Sequence, residues 1–171
     1  ERLILLLNKK IVFLTIFFIL ISAPLLQAEE FESLETFTEY IYSNYAEENV
    51  AEVYENFAAE LKRILAEEKY VGFQEQNFEK YNLEYTEIKV GEAKPIDFSK
   101  IKKEFEYAED FGSYYQLQVS YLIKFNRFGS REERSEKTVY LRKINDDLQI
   151  FWDYKSAIDD DKAAEADDKD E

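Results

Sequence analysis

The chain has 171 residues, and 46% of them are hydrophobic and 16% aromatic, which suits one packed domain. It contains no Cys and no His, which excludes disulfides, thiol nucleophiles, imidazole bases and the usual ligands of zinc, haem and iron–sulfur clusters. We therefore expect no cofactor. The formal net charge of −15 repels phosphate backbones, so nucleic acid is not an expected partner.

The N-terminus has the pattern of a secretory signal peptide. Basic residues precede the apolar run 11–23, and helix-breaking Pro24 and the small residue Ala28 follow it. Residues 1–28 are predicted to be removed on export, which indicates a secreted, periplasmic or cell-envelope protein. The alternative is an uncleaved segment that tethers the domain, and this is the one membrane contact we expect. The absence of Cys fits a bacterial envelope.

A single domain is predicted over residues 29–157, and its first part has a helical period. The first helix is indicated by apolar residues three or four positions apart: Phe31, Leu34, Phe37, Ile41 and Tyr45. A longer apolar stripe predicts a second helix from Val50 to Leu65 that ends near Gly72. Residues 73–82 are predicted to form a short third helix.

From Tyr81 onward the period changes to two, which predicts strands. Residues 82–90 alternate, but their two faces are mixed in polarity. Residues 97–112 fit either an irregular loop or a short strand. The stretch 114–125 is apolar or aromatic at its odd positions, so it predicts a central strand whose odd residues face the core.

The remaining strands form a meander. A turn at 126–131 leads to a partner strand over 134–144. A tight turn at 145–147 precedes a last strand that places Leu148, Ile150, Trp152 and Tyr154 on one face. The tail 158–171 is acidic and almost free of apolar residues, so we expect it to be disordered.

This order of elements predicts an α+β fold with two to three N-terminal helices packed on a curved antiparallel sheet of three to four strands. Three stretches, VAEVYENFAAELKRIL, FNRFGSREERS and LRKINDDLQIFWDYKS, resemble the nuclear-transport-factor-two-like superfamily, whose cone-shaped fold is shared with ketosteroid isomerases. The resemblance covers about residues 31–157. It implies a cone-like domain, and many secreted members of that superfamily have no known chemistry.

Catalytic members of the superfamily place an acid–base Asp, often with Tyr or His, inside the cone. This sequence has no His. Asp153 alternates with Trp152 and Tyr154, so it is predicted to face away from the core. No catalytic residue is therefore carried over from the resemblance.

The candidate site is a wall rich in aromatic residues. Its predicted members are Tyr54, Phe57, Tyr115, Tyr121, Tyr140 and Trp152. One interpretation is a ligand cavity in which phenols supply a few polar groups. The other is that the rings simply fill the core under the helices.

Two charged features remain. Acidic pairs such as Glu132-Glu133 lack the spacing and the glycine of a calcium loop, so we predict no metal site. Basic residues gather on the long hairpin, either as a patch for an anionic partner or as cross-strand ion pairs on a solvated face. They are Lys124, Arg127, Arg131, Arg134, Lys137, Arg142 and Lys143.

Together these features predict a secreted or cell-envelope, non-catalytic binding domain. Its partner would be another envelope protein or a small apolar ligand, and a homodimer is a further possibility. The alternative is a small acid–base enzyme of the isomerase or cyclase type, which would use Asp or Glu with Tyr in the cone pocket. A hollow interior with a buried carboxylate facing a tyrosine would favour the enzyme.

Overall fold

The computed structural model describes residues 31–127 and 129–155. The predicted signal peptide (1–28) and the predicted tail (158–171) lie outside these residues. Within the described part of the chain, no helix is long and apolar enough to cross a membrane.

Helices and an antiparallel sheet make up the described chain, which confirms the α+β class. The helices are α1 (Leu34–Ala46), α2 (Val50–Glu55), α3 (Ala59–Lys62), α4 (Glu67–Tyr81) and α5 (Phe98–Glu104). The strands are β1 (Leu83–Val90), β2 (Lys94–Ile96), β3 (Ser113–Phe125), β4 (Arg131–Ile144) and β5 (Asp147–Ile150).

The sheet has the strand order β1-β3-β4-β5, and β2 pairs with the start of β3. All these pairs are antiparallel, and the sheet curls into a half-barrel. The central hairpin keeps one register from Ser113 opposite Lys143 to Phe125 opposite Arg131, with no bulge. This hairpin organises the sheet, because β1 and β2 pair with β3 and β5 pairs with β4.

A β-bulge explains why the faces of β1 are mixed. The register of β1 on β3 shifts between Thr86 and Lys89, and Glu87 has a φ of 52°. The extra residue exchanges the inward and outward positions along the strand. The residues that pack on the main core are Leu83 and Tyr85 before the bulge and Ile88 and Val90 after it.

The predicted second helix is interrupted. Residues 56–58 leave the helix between α2 and α3 and pair with β5 instead. The Ala58 N–H donates to the Ile150 carbonyl (3.0 Å), and the Ile150 N–H donates to the Asn56 carbonyl (2.9 Å). Pairing with the sheet edge thus outweighs the helical pattern of the sequence.

Helix α4 begins earlier than predicted. Gly72 lies inside it and does not end the preceding helix. The helix ends at Asn82, which takes a left-handed conformation with a φ of 48°. The ambiguous stretch 97–112 contains α5, which is followed by a loop.

Two hydrophobic clusters lie on opposite faces of the sheet, because adjacent residues of one strand belong to different clusters. Tyr115 packs against the main core under the N-terminal helices, whereas Tyr114 belongs to the second cluster. The second cluster consists of Ala58, Ile101, Phe105, Ala108, Tyr114 and Phe151. The prediction for odd positions of β3 is confirmed at Leu117, Val119 and Tyr121, which are buried in the main core.

The last strand is shorter than predicted. It ends at Ile150, so Trp152 and Tyr154 lie beyond it. Trp152 is held by Tyr107, whose hydroxyl donates to the Trp152 carbonyl (2.9 Å) and accepts from the Trp152 N–H (3.1 Å).

Candidate functional site

A cavity of about 580 Å³ opens between the helices and the sheet. Helices α1 and α4 form one wall, the strands β1, β3 and β4 form the other, and the segment after β5 borders it. The aromatic residues around it are Tyr42, Tyr45, Phe57, Tyr70, Phe73, Tyr81, Tyr85, Phe105, Tyr121, Phe125, Tyr140, Phe151 and Trp152. The interior is therefore hollow, and aromatic rings dominate its lining.

The structure brings together Phe57, Tyr121, Tyr140 and Trp152 of the predicted wall, all of which line the cavity. Tyr54 lies outside the lining because its hydroxyl donates to the Leu65 carbonyl (2.8 Å), which turns it away from the open space. Tyr115 also lies outside it.

Tyr115 is displaced by its position in the sheet. It occurs where β3 pairs with both Pro95 of β2 and Leu141 of β4. That end of the strand packs on the main core away from the open space. Of the six residues predicted for the wall, Tyr54 and Tyr115 are thus not among those that line the cavity.

Helix α4 supplies several of the lining residues that the sequence analysis did not predict. Tyr70, Phe73, Asn77 and Tyr81 recur at three- or four-residue spacing along this helix, and all line the cavity. This spacing was the signal that could have found them. It was obscured because the helix was expected to begin only at residue 73.

The single tryptophan of the chain is in the lining. Trp152 stacks on Phe57 with ring centroids 5.9 Å apart and an interplanar angle of 10°. It also meets Tyr70 edge-on at 5.1 Å. Such pairs fix the rings in place, so this wall is preorganised.

Tyrosine hydroxyls provide polarity inside the cavity. The Tyr45 hydroxyl donates to Oε1 of Gln74 (2.8 Å), a buried residue. Burial raises the pKa of Tyr42, Tyr45 and Tyr70 above the ordinary tyrosine value, so all three phenols stay neutral near pH 7.

Several hydroxyls of the lining have no hydrogen-bond partner among the described residues, and those of Tyr42 and Tyr121 are neighbours. No described residue hydrogen-bonds the hydroxyl of Tyr42 or Tyr121, and neither oxygen is buried without a partner. Both rings line the cavity, and their centroids are 5.8 Å apart. The cavity therefore presents neighbouring phenols that are free to donate to, or accept from, a bound molecule.

Carboxylates and the cavity are largely separate. Among the described residues that line it, the acidic one is Asp153, which is exposed. Asp153 does not lie on a strand as predicted, because β5 ends before it. It is exposed and lies at the rim of the cavity. The described residues also contain no group of acidic side chains that could hold a metal ion.

A buried carboxylate does exist, at Glu60 on α3, but it does not line the cavity. Arg142 of β4 donates to both of its oxygens, from Nη1 at 2.5 Å and from Nη2 at 2.6 Å. The Glu109 N–H adds a third hydrogen bond at 3.0 Å. Burial favours the protonated acid, but the bonds from Arg142 and Glu109 outweigh it and hold the pKa of Glu60 below its ordinary value.

Arg142 corrects one part of the predicted basic hairpin. Its side chain is 0% exposed, also bonds Gln149, and lies over the ring of Phe111 at 3.9 Å. It is therefore not part of a surface patch. Two other members form exposed ion pairs between strands, as the second interpretation predicted: Lys124 with Glu84, and Arg134 with Glu87. Arg131 pairs with Glu133 of its own strand.

No protein-family model and no curated protein matches the sequence. The class of protein therefore follows from the fold and the site. It is an α+β domain whose helices pack on a curled antiparallel half-barrel sheet and leave an aromatic cavity between the two layers. This arrangement is compatible with the cone-like fold of the nuclear-transport-factor-two-like superfamily.

Proposed function

We propose that this domain binds a small, largely apolar molecule in the aromatic cavity and does no chemistry on it. The observation that carries the proposal is the combination of a cavity of about 580 Å³ with phenol groups that have no partner among the described residues. Ligand sites typically have volumes of about 300–1,000 Å³ and a few polar groups in an apolar lining. The ligand would have an apolar ring or chain and at least one hydrogen-bonding group.

No buried carboxylate lines the cavity among the described residues, and this favours binding over acid–base catalysis. General acid–base catalysis needs a carboxylate of suitable pKa within hydrogen-bond reach of the substrate. Glu60 is engaged by Arg142 away from the cavity, and Asp153 at its rim is exposed. An exposed carboxylate lacks the apolar, water-excluded surroundings that such chemistry uses.

Membership of the nuclear-transport-factor-two-like superfamily is part of the same proposal, and the curled sheet under the helices supports it. A secreted or cell-envelope location is also proposed. The basic flank, apolar run and helix breaker in residues 1–28 support this location.

Fluorescence of Trp152 tests the proposal directly, because this residue is the only tryptophan and lines the cavity. N-phenyl-1-naphthylamine, a neutral aromatic probe, is titrated into the chain that begins at Glu29. We expect saturable energy transfer from Trp152 to the probe with one probe bound per chain. Absence of saturable transfer would count against a binding cavity.

A matched pair of variants locates the probe. Asn77→Phe adds a ring to α4 where it lines the cavity, so it should weaken probe binding at least about tenfold by taking up part of the apolar space. Gln76→Phe adds the same ring at an exposed position of the same helix and should leave binding unchanged. Equal effects of the two variants would place the probe elsewhere.

A further inference from the structure

The sheet has edges of different kinds. The edge at β5 is covered by residues 56–58, and β1 at the other side of the sheet is interrupted by the bulge at Glu87. By contrast, β4 runs unbulged beside β3 from Arg131 onward, and β5 covers it only from Leu141 to Ile144. Of the residues described, none pairs with the outer edge of β4 between residues 131 and 138.

Backbone groups along this stretch point outward in a regular row. The Tyr140 carbonyl accepts from the Phe151 N–H (3.0 Å), so Tyr140 directs its backbone away from β3. Residues of an antiparallel strand alternate in this respect. Glu132, Arg134, Glu136 and Thr138 therefore direct their N–H and C=O groups to the open edge, and all four are exposed.

We propose that a second copy of this chain pairs with this edge, antiparallel, with Ser135 of each copy on the two-fold axis. The charge sequence from Arg131 to Lys137 selects this register. It places Arg134 opposite Glu136 and Glu133 opposite Lys137, and each contact occurs twice by symmetry. The outward backbone groups of Arg134 and Glu136 also face each other, as a hydrogen-bonded pair requires.

Neighbouring registers bring like charges together. A centre at Arg134 places Glu132 opposite Glu136 and Arg131 opposite Lys137. Centres at Glu133 and at Glu136 each place a glutamate opposite its own copy. Like charges directly opposite each other destabilise a strand pair, so the Ser135 register is favoured over these.

Two of the charges involved are available. Glu136 and Lys137 have no ion-pair partner among residues 31–127 and 129–155, and both are exposed. A charged edge of this kind discourages unspecific pairing, but it also sets one register in which pairing is favourable.

The pairing would extend the cavity across two chains. Lys137 lines the rim of the cavity and lies on the same face of the sheet as buried Val139. In the Ser135 register, Glu133 of the second copy lies opposite Lys137 and comes to this rim. Each copy thus contributes a carboxylate to the entrance of its neighbour's cavity.

Sedimentation equilibrium of the chain from Glu29 to Glu171 tests the dimer, since this chain retains both hydrophobic clusters. We expect a concentration-dependent dimer that weakens as salt is added. Glu133→Lys and Lys137→Glu each turn two attractive contacts into repulsive ones, so each should raise the dimer dissociation constant at least about tenfold. Lys103→Glu makes the same charge change at an exposed position on α5 and should leave the dimer intact.

Mixing the two weakened variants distinguishes this register from any other surface. A Glu133→Lys chain beside a Lys137→Glu chain has opposite charges at both contacts, so the mixture should form a heterodimer with about wild-type affinity. This result also shows that both variants are folded. A monomer at all concentrations, a dimer insensitive to both single variants, or a mixture that stays monomeric would each overturn the proposal.

Discussion

The main core and the second cluster bury polar groups in different ways. On the side of the second cluster, Arg142 and Glu60 are joined by two short hydrogen bonds, and Gln149 and the Glu109 N–H complete the network. Around the cavity, by contrast, the buried titratable groups are neutral phenols, among them those of Tyr42, Tyr45 and Tyr70. The buried ion pair of Glu60 and Arg142 thus lies outside the residues that line the cavity, although Phe105 and Phe151 of the second cluster are among those residues.

The two features have different roles: the buried ion pair stabilises the fold, and the cavity is the site of the proposed function. A buried ion pair costs much desolvation energy and is tolerated when its hydrogen bonds are complete. It links α3 to β4 across 82 residues of sequence. A hollow lined by rings gives up packing energy that a filled core would provide. Such a loss of packing energy is expected where the cavity binds a ligand. We therefore assign the proposed function to the cavity and not to the ion pair.

The largest predicted effect comes from breaking the ion pair. Arg142→Met leaves the Glu60 carboxylate buried without its partner and should lower the free energy of unfolding by about 3–5 kcal/mol. Urea denaturation measures this loss. The double variant Arg142→Met, Glu60→Leu removes both charges and should recover most of the stability. A single variant that costs less than about 1 kcal/mol would show that the network is not a stabilising link.

Tyrosine to phenylalanine substitutions compare the two kinds of phenol in the cavity. Tyr45→Phe leaves Oε1 of buried Gln74 without its hydrogen bond and should cost about 1–3 kcal/mol. Tyr42→Phe removes a hydroxyl that no described residue bonds, so it should change stability by less than about 0.5 kcal/mol. Urea denaturation of both variants checks the difference, and equal losses would contradict the assignment of Tyr42 as available to a ligand.

The sequence predicted which residues of a strand face the core better than it predicted contacts between distant segments. Alternation in β3 identified Leu117, Val119 and Tyr121 as inward residues, because one face of a strand is a local property. The break at residues 56–58 was not predictable in the same way, since it depends on hydrogen bonds to Ile150. The bulge at Glu87 was visible only as mixed faces on β1.

Only part of the site was predicted, because the sequence pattern reports local structure and not the distances between elements. A periodic pattern indicates that Tyr121 and Trp152 face inward, but it does not indicate whether the space before them is filled. That depends on how far α4 lies from the sheet, which the chain sets through distant contacts. Glu60 also gave no local signal, because its neighbours Ala59 and Leu61 fit an ordinary helix and its partner Arg142 looked like a surface residue.

The smallest predicted effect is that of alkaline pH on probe binding. Burial raises the pKa of Tyr42, Tyr45 and Tyr70, so in the folded protein they should stay protonated at pH values where free tyrosine ionises, near about 10. The affinity for N-phenyl-1-naphthylamine should therefore stay constant from neutral pH to about 10.

Above a pH of about 10 the stability of the fold itself should fall. Unfolded tyrosines ionise near their ordinary pKa of about 10 while the buried ones resist, so rising pH favours the unfolded chain, and ionisation should accompany unfolding. Tyrosinate absorbance recorded beside probe binding checks this, with the guanidinium-unfolded chain as the control. Binding that weakens well below pH 10 while the fold persists would mean that a phenol of the cavity ionises in place. The cavity would then hold a charge beside open space, and the contrast with the Arg142–Glu60 side of the sheet would not hold.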